Sequence, residues 1–361
     1  MANCHNLFQI YNTRIKLSDS RRGTLLAKRE ELRNRMRKRF NKLYEEFRQE
    51  EQLNVDHELE FYSQGSFVMD TIITPKDDDY DLDDGVYFSG NLNQNDRPNT
   101  SVFHNWVIRA IGEEEQFGKV SDKDTCVRVR YKEGIYGDES KSFHIDLPIY
   151  YAEDIYDPEL AHKKKSWIIS NPIEFIDWFE SKIESGFQKS FLFESTQYDQ
   201  YEKWLKDIRK KDSQLRRIVR YLKGWSDHIR EEMPPGIVMT ILAGENYKSD
   251  ERDDVSLRKT LEAIIDWLDS NEFKCPRPTT PKKEDLFAYY NEVKKEYFKN
   301  ALDEFAKSAR QALSNSNQKE ACLKWKKHLG GRFPCDLARD ENLDAKTFAT
   351  GETIRSNARS A

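Results

Sequence analysis

The chain has 361 residues, of which 34% are charged and 12% aromatic, and its formal net charge is −5. That aromatic content supplies a packed core and excludes a disordered chain. The near balance of charge excludes a global field that recruits nucleic acid, so any basic surface must be local.

Leu25, Leu32, Met36, Phe40, Leu43 and Phe47 recur at steps of three, four or seven, which predicts a long amphipathic helix. Arg33, Arg35, Arg37, Lys38, Arg39 and Lys42 are expected on its outer face, as a solvated surface or a polynucleotide groove. From Glu58 to Tyr151 the pattern changes to short strands: "ELEFY", "YDLDDGVYF", "TCVRVRY" and "SFHIDLPIYY", with "SVFHNWVIRAIGEEE" helical between them. This is a mixed α+β unit around a small sheet.

After Pro158 the chain reads as almost wholly helical. "NPIEFIDWFESKI" opens with Asn171 as cap and Pro172 at the first helical position. "SQLRRIVRYLKGWSDHI" sets Leu215, Ile218, Val219, Leu222 and Trp225 on one stripe, and "PPGIVMTILAGENY" and "DVSLRKTLEAIIDWL" predict two further helices. "PRPTTPKKEDLF" is a proline-rich connector before "YYNEVKKEYFKNALDEFAKSARQAL". The tail from about Leu337 is polar and is expected to be mobile.

Cys4, Cys126, Cys275, Cys322 and Cys335 lie far apart with no CxxC, which excludes an obvious zinc ribbon and reads as reduced thiols in a cytoplasmic protein. No secretory leader is expected, and no stretch approaches the ~20 apolar residues that span a bilayer.

The chemistry concentrates in "QGSFVMDTIITPKDDDYDLDDGVYF". On a strand residues i and i+2 share a face, so Asp81 and Asp83 point the same way while Leu82 points into the core. Two adjacent carboxylates repel unless a cation lies between them, and hard oxygen ligands suit Mg²⁺ or Mn²⁺. In "SFHIDLPIYY" Ser142, His144 and Asp146 share the face opposite Phe143, Ile145 and Leu147. If the two strands pair, Asp146 completes a three-carboxylate cluster able to hold two metals. Gly65 lets the backbone approach phosphate, the following helix offers free N–H groups, and Ser66 adds a donor. Arg128 and Arg130 alternate with Val127 and Val129, and either project into an acceptor pocket or are surface charges on an edge strand. His144 reads as a hydrogen-bonded neighbour of Asp146. Asp77, Asp78, Asp79 and Asp84 read as loop or strand-edge charges.

"QGSFVMDT", "DYDLDDGVYF", "HIDLPIY", "LRRIVRYLKGWSD" and "PPGIVMTILAGENY", in that order, make the chain resemble polymerase β-type nucleotidyltransferases, and within them the bacterial cGAS/DncV-like enzymes, relatives of oligoadenylate synthases. The resemblance implies an α+β, bilobed molecule: a polymerase β-like core with a small mixed sheet, and a helical C-terminal domain packed against it. The corresponding boundaries are 1–160 for the core with its long helix, 161–336 for the helical domain and 337–361 for a flexible tail. It also implies Asp81, Asp83 and Asp146 as catalytic metal ligands for two Mg²⁺ ions, with Mn²⁺ able to substitute. Gly65 and Ser66 would hold the donor triphosphate, Lys223 would contact it from the central helix, and Arg220 would assist. Gly236 falls where some relatives place a polar donor.

The implied activity is template-independent synthesis of a cyclic di- or trinucleotide messenger from nucleoside triphosphates, with pyrophosphate released, in antiphage (CBASS) signalling. The implied partners are operon-encoded regulators and ubiquitin-transfer-like enzymes acting on the C-terminal tail. The zinc insertion of the animal DNA sensor is absent, so no double-stranded DNA docking device is expected, and no membrane. The alternatives are a linear oligoadenylate-like synthase, an RNA-end nucleotidyltransferase, or a catalytically silent nucleotide- or RNA-binding module.

Overall fold

A computed structural model describes residues 1–52, 57–132, 142–183 and 212–341. It divides into two compact units: Leu17–Ser213 with Pro276–Glu284, and Met1–Lys16 with Gln214–Cys275 and Asp285–Ala361. These differ from a cut at residue 160 in three ways: the sheet unit runs on to Ser213, and two further segments change sides. Helix α1 (His5–Ile15) joins the helical unit, because Phe8 packs edge-on against Tyr221, Trp325 and Phe333. The proline-rich connector returns to the sheet unit, where the Thr280 N–H donates to Glu174 at 2.9 Å.

The sheet unit begins with α2 (Asp19–Glu51), capped by Ser18, whose hydroxyl accepts from the Arg21 N–H. Seven described strands form one mixed sheet: β1 (Leu59–Gln64), β2 (Tyr80–Ser89), β3 (Phe117–Asp122), β4 (Cys126–Tyr131), β5 (Phe143–Ala152), β6 (Glu159–His162) and β7 (Ser166–Ile169). The path runs β1-β2-β5-β4-β3, with β6 on the far half of β5 and β7 beyond it. β2 and β5 are parallel and the other pairs antiparallel. The single turn α3 (Gly65–Val68) follows β1, α4 (Thr100–Ile111) packs against α2, and α5 (Pro172–Ile183) follows β7. Asn171 caps α5 as expected, its Oδ1 accepting from the N–H groups of Ile173 and Glu174 at 3.1 and 2.9 Å.

Leu25, Leu32, Met36, Phe40 and Phe47 of α2 are buried in the core they share with Phe61, Leu82, Phe88, Phe103 and Trp106. The basic face expected to be solvated is so only in part: Lys38 and Lys42 are exposed, whereas the arginines are drawn to protein partners. Arg33 is buried and grips Asp84 of β2, Nε to Oδ2 at 2.7 Å and Nη2 to Oδ1 at 2.5 Å. Arg22 pairs with Asp70, and Arg29 donates to Ser63 at 3.0 Å. Arg35 bonds the Ile111 carbonyl and Glu114, Arg39 the Arg109 carbonyl, and Arg37 lies over the Phe61 ring. Periodicity alone could not show that this helix carries its cations inward, since each needs a partner from a distant strand or loop.

Asp84 is thus no strand-edge charge. Burial works against its ionisation, but the charge and hydrogen bonds of Arg33, with help from Arg29 and Ser63, outweigh that and hold its carboxyl below the ordinary range.

The expectation of helix after Pro158 fails at β6 and β7. β5 has ten residues, and Tyr150 and Tyr151, past its pairing with β4, take Leu160 and Glu159 of β6 as partners. Four-residue strands show too little alternation to read. Strand β3 was likewise not expected.

In the helical unit, α6 (Gln214–Ile229) buries the expected stripe from Leu215 to Trp225. It is followed by α7 (Gly236–Asn246), α8 (Asp253–Ser270), α9 (Glu292–Ser314) and α10 (Gln318–Leu329). Asp253, fully buried, ties α6 to α8 by accepting from Arg217, Gln214 and Tyr221.

Cys322 and Cys335, expected as thiols, form a disulfide with their Cα atoms 5.6 Å apart, because the chain turns back after α10. Cys4 and Cys126 stay reduced, and burial pushes each thiol up to about 12. Residues 337–341, expected to begin a mobile tail, are held to the start of α10, where Asn317 donates to Asp340 and the Gln318 N–H to Glu341. The rest of the expected tail lies outside the described residues.

Asp84→Asn should cost about 3–5 kcal/mol, because it leaves the Arg33 charge buried without its counter-ion. A carboxyl lowered on folding stabilises fully above its unfolded value of about 3.9, and that stability is lost as the pH falls below it. Acid unfolding followed by circular dichroism should therefore be steeper in the wild type than in Asp84→Asn. Superimposable acid profiles would contradict the assignment.

Candidate active site: a charged face of the sheet

β2 sets Asp81 and Asp83, both half-buried, on the face opposite Leu82 and Asp84. The parallel register aligns Asp81 with His144 and Asp83 with Asp146 on β5, as the expectation for Asp146 required. β4 adds a third column, aligning Arg128 with Asp146 and Arg130 with His144.

Side chains draw together in a pattern the sequence did not foresee. One ligand atom each from Asp81, His144 and Asp146 lie within 4.8 Å of one another. Asp83 belongs to the same face, but its carboxylate is directed at the Gly65 end. A Cβ at Gly65 would fall 2.3 Å from Asp83 Oδ2, and Gly65 has φ +71°. Glycine is needed there twice over, for the left-handed backbone and for the close approach of the carboxylate. Ser66 is half-buried on α3, which is one turn rather than the longer helix expected to receive phosphate.

Both readings of Arg128 and Arg130 are replaced by ion pairs. Arg128 is bidentate on Asp146, Nε and Nη2 each 2.7 Å from its oxygens, and that pairing raises the guanidinium above its usual value. Arg130 is bidentate on Asp79 at 2.8 and 2.8 Å. Asp79 also accepts from His144 Nδ1 at 3.1 Å. Burial opposes the Asp79 charge, but the hydrogen bonds of Arg130 and His144, with the Arg130 charge, prevail and keep its carboxyl low. His144 is therefore a neighbour of Asp79 in hydrogen bonding, not of Asp146. Asp78, read as a loop charge, is paired with Arg21 at 2.5 and 2.9 Å. The period of two that identified Asp81 and Asp83 also passes through Asp79, and this was the overlooked signal.

The donor set suits a divalent cation: oxygens from Asp81 and Asp146, with Asp83 on the same face, and the Arg128 guanidinium standing against Asp146 as a stand-in positive charge.

In the helical unit, Lys223 is half-buried beside the start of α7, where a Cβ at Gly236 would lie 3.3 Å from its Cε and 3.8 Å from its Nζ. Arg220 is fully buried, its Nε donating to Asn12 at 2.8 Å. This corrects its expected part in triphosphate binding: the side chain ties α6 to α1 inside the unit.

A small mixed sheet with paired acidic positions on one strand, a third on its parallel neighbour and a Gly-Ser turn leading in defines a polymerase β-like nucleotidyltransferase core, here with a helical domain. Residues 59–150 match the family described as "Cyclic GMP-AMP synthase DncV-like, nucleotidyltransferase domain". A cyclic GMP-AMP synthase of Escherichia albertii is 24% identical over 239 residues, covering 64% of this chain and 46% of the relative. The match thus spans about half of that relative's length. The di-nucleotide cyclase DncV of Vibrio cholerae in complex with GTP and 5MTHFGLU2 has the same fold, with TM-score 0.69, 17% identity, and 93% of this chain and 99% of that chain covered. DncV in complex with the linear intermediate 5′ pppA(3′,5′)pG matches with TM-score 0.68 and 17% identity over 94% and 98%.

Gly65→Ala should cost about 1–2 kcal/mol from the left-handed backbone alone, and more from collision with Asp83. Thermal unfolding with and without Mn²⁺ should show both a lower midpoint and a smaller metal-induced rise. A metal-induced rise equal to that of the wild type would show that the Gly65–Asp83 approach does not matter to the centre.

Proposed function

We propose that the chain is a template-independent nucleotidyltransferase that makes a cyclic di- or trinucleotide messenger from nucleoside triphosphates and releases pyrophosphate. The observation that carries this reading is the alignment of Asp81, Asp83 and Asp146 on one sheet face, with Gly65 and Ser66 at its end. The family match supports it, as does the binding of GTP and a linear dinucleotide intermediate by DncV of similar fold.

Asp81, Asp83 and Asp146 would hold two Mg²⁺ ions, or Mn²⁺ in their place, which supply charge neutralisation for the phosphates and a more acidic acceptor hydroxyl. Gly65 leaves space for a phosphate beside the backbone, and Ser66 offers a hydroxyl donor to it. Lys223 provides a cation for the triphosphate from the helical unit. Arg128 neutralises Asp146 in the metal-free protein. With Asp146 as a metal ligand, the Arg128 guanidinium on the same face would be able to donate to a phosphate oxygen. The acceptor ribose hydroxyl would attack the α-phosphorus of the donor as the P–O bond to pyrophosphate breaks, with Asp146 serving near the attacking hydroxyl to receive its proton. A second transfer by the same residues closes the ring. Positioning and charge neutralisation supply most of the acceleration.

The setting proposed with this activity is antiphage signalling in the cytoplasm, with operon-encoded regulators and ubiquitin-transfer-like enzymes acting on the C-terminal tail. No helix among the described residues is long and apolar enough to cross a membrane. A linear polymerase would draw on the basic face of α2 as a groove, but Arg33, Arg35 and Arg39 are committed to protein partners.

Purified protein incubated with four radiolabelled nucleoside triphosphates and Mg²⁺ or Mn²⁺ should give a phosphatase-resistant product at a cyclic-oligonucleotide mass. Asp81→Ala and Asp83→Ala should each lower its yield by on the order of 10²-fold or more, with unchanged circular dichroism. A phosphatase-sensitive ladder would point to linear synthesis, and undiminished product from either variant would sink the assignment of the aspartates.

A further inference from the structure

We propose that His144 is itself a metal ligand, through Nε2, so that the centre is a mixed imidazole–carboxylate site that favours divalent transition metals over Mg²⁺. The inference rests on reading the acidic face as a metal centre and goes beyond the three aspartates.

Three observations converge on it. A ligand atom of His144 lies within 4.8 Å of oxygens of both Asp81 and Asp146. The ring is 4% exposed, and its Nε2 is buried with no hydrogen-bond partner among the described residues. The other nitrogen, Nδ1, faces Asp79 at 3.1 Å.

The ionised carboxylate of Asp79 only accepts, so Nδ1 carries the proton and donates it. Nε2 then bears the lone pair, in the tautomer that binds metal. Asp79 is in turn fixed by the two Arg130 bonds at 2.8 Å, which also hold the imidazole plane. A carboxylate behind a histidine whose far nitrogen meets a metal is the usual support of an imidazole ligand, since it sets the tautomer and raises ligand basicity.

A merely structural histidine gives no account of the orphaned nitrogen, which costs about 1–3 kcal/mol when buried without a partner. Coordination removes that cost and explains why Asp79, Arg130 and His144 form a chain ending at the acidic cluster. The preference follows from ligand chemistry: imidazole suits first-row transition ions, whereas Mg²⁺ takes oxygen ligands and keeps its water.

Mn²⁺ alone, added to the metal-free full chain, gives the direct test by electron spin-echo spectroscopy. The expected result is nitrogen-14 modulation from one bound imidazole, changing to the nitrogen-15 pattern when the histidines are isotopically labelled. His144→Gln should abolish the modulation and weaken Mn²⁺ binding about 10–100-fold, with a smaller loss for Mg²⁺ measured by competition. Thermal unfolding checks that this variant folds, and the wild-type spectrum decides the question without it. Mn²⁺ bound with no nitrogen modulation would overturn the role of His144 while leaving the carboxylate centre intact. Failure of the wild type to bind Mn²⁺ at all would overturn both.

Discussion

Everything on the charged face depends on β2 keeping its register, and the buried Arg33–Asp84 pair is what holds it. A strand has a period of two, so a slip of one residue would exchange Asp84 with Asp83 and carry the acidic positions into the aromatic core. Leu82 and Val86 resist such a slip only by apolar burial. Asp84 resists it by charge, because an unpaired carboxylate and an unpaired guanidinium would both be left in a dry interior. The long helix α2 therefore acts as a template for the strand. Its cations at Arg22, Arg29 and Arg33 fix Asp70, Ser63 and Asp84 in turn, and so brace the segment on both sides of Gly65.

The opposite face has the reverse problem, because it gathers several carboxylates close together. Side by side they repel, and the fold meets this with two forked guanidinium groups. Arg128 takes both oxygens of Asp146, and Arg130 takes both of Asp79. Planar bidentate pairing orients an acid as well as neutralising it. The two pairs are not equivalent. Arg128 sits on a member of the acidic cluster, whereas Arg130 sits one step behind and steadies the residue that steadies His144.

Much of this centre was legible in the sequence because strand periodicity is a strong constraint. "YDLDDG" and "HIDLP" place Asp81, Asp83 and Asp146 on one face as soon as the two strands are adjacent, and the structure makes them parallel neighbours. The α5 cap and the α6 stripe were legible for similarly local reasons. What was missed required knowledge of a partner far away in the chain. The arginines of α2 looked solvated because their main partners, Asp84, Glu114 and backbone carbonyls of Arg109 and Ile111, lie on distant elements. β6 and β7 exist only as additions to the end of a longer strand. Arg220 looked like a ligand residue by its place in a motif, and only the position of Asn12 shows it to be interior. His144 was placed on the correct face but given the wrong neighbour, since Asp79 lies one residue before β2 and its place in the same period of two was overlooked.

The placement of α1 has a consequence for how the molecule is made. Phe8 rests on Trp325 and Phe333, so α1 waits for the synthesis of α10 and the turn after it before its aromatic side is covered. At ordinary elongation rates that interval is roughly 15–60 s. The strands and α2 are complete long before then, apart from the short Pro276–Glu284 return. Synthesis thus favours a sheet unit that forms early and a helical unit that closes late, with a sticky N-terminal helix exposed in between.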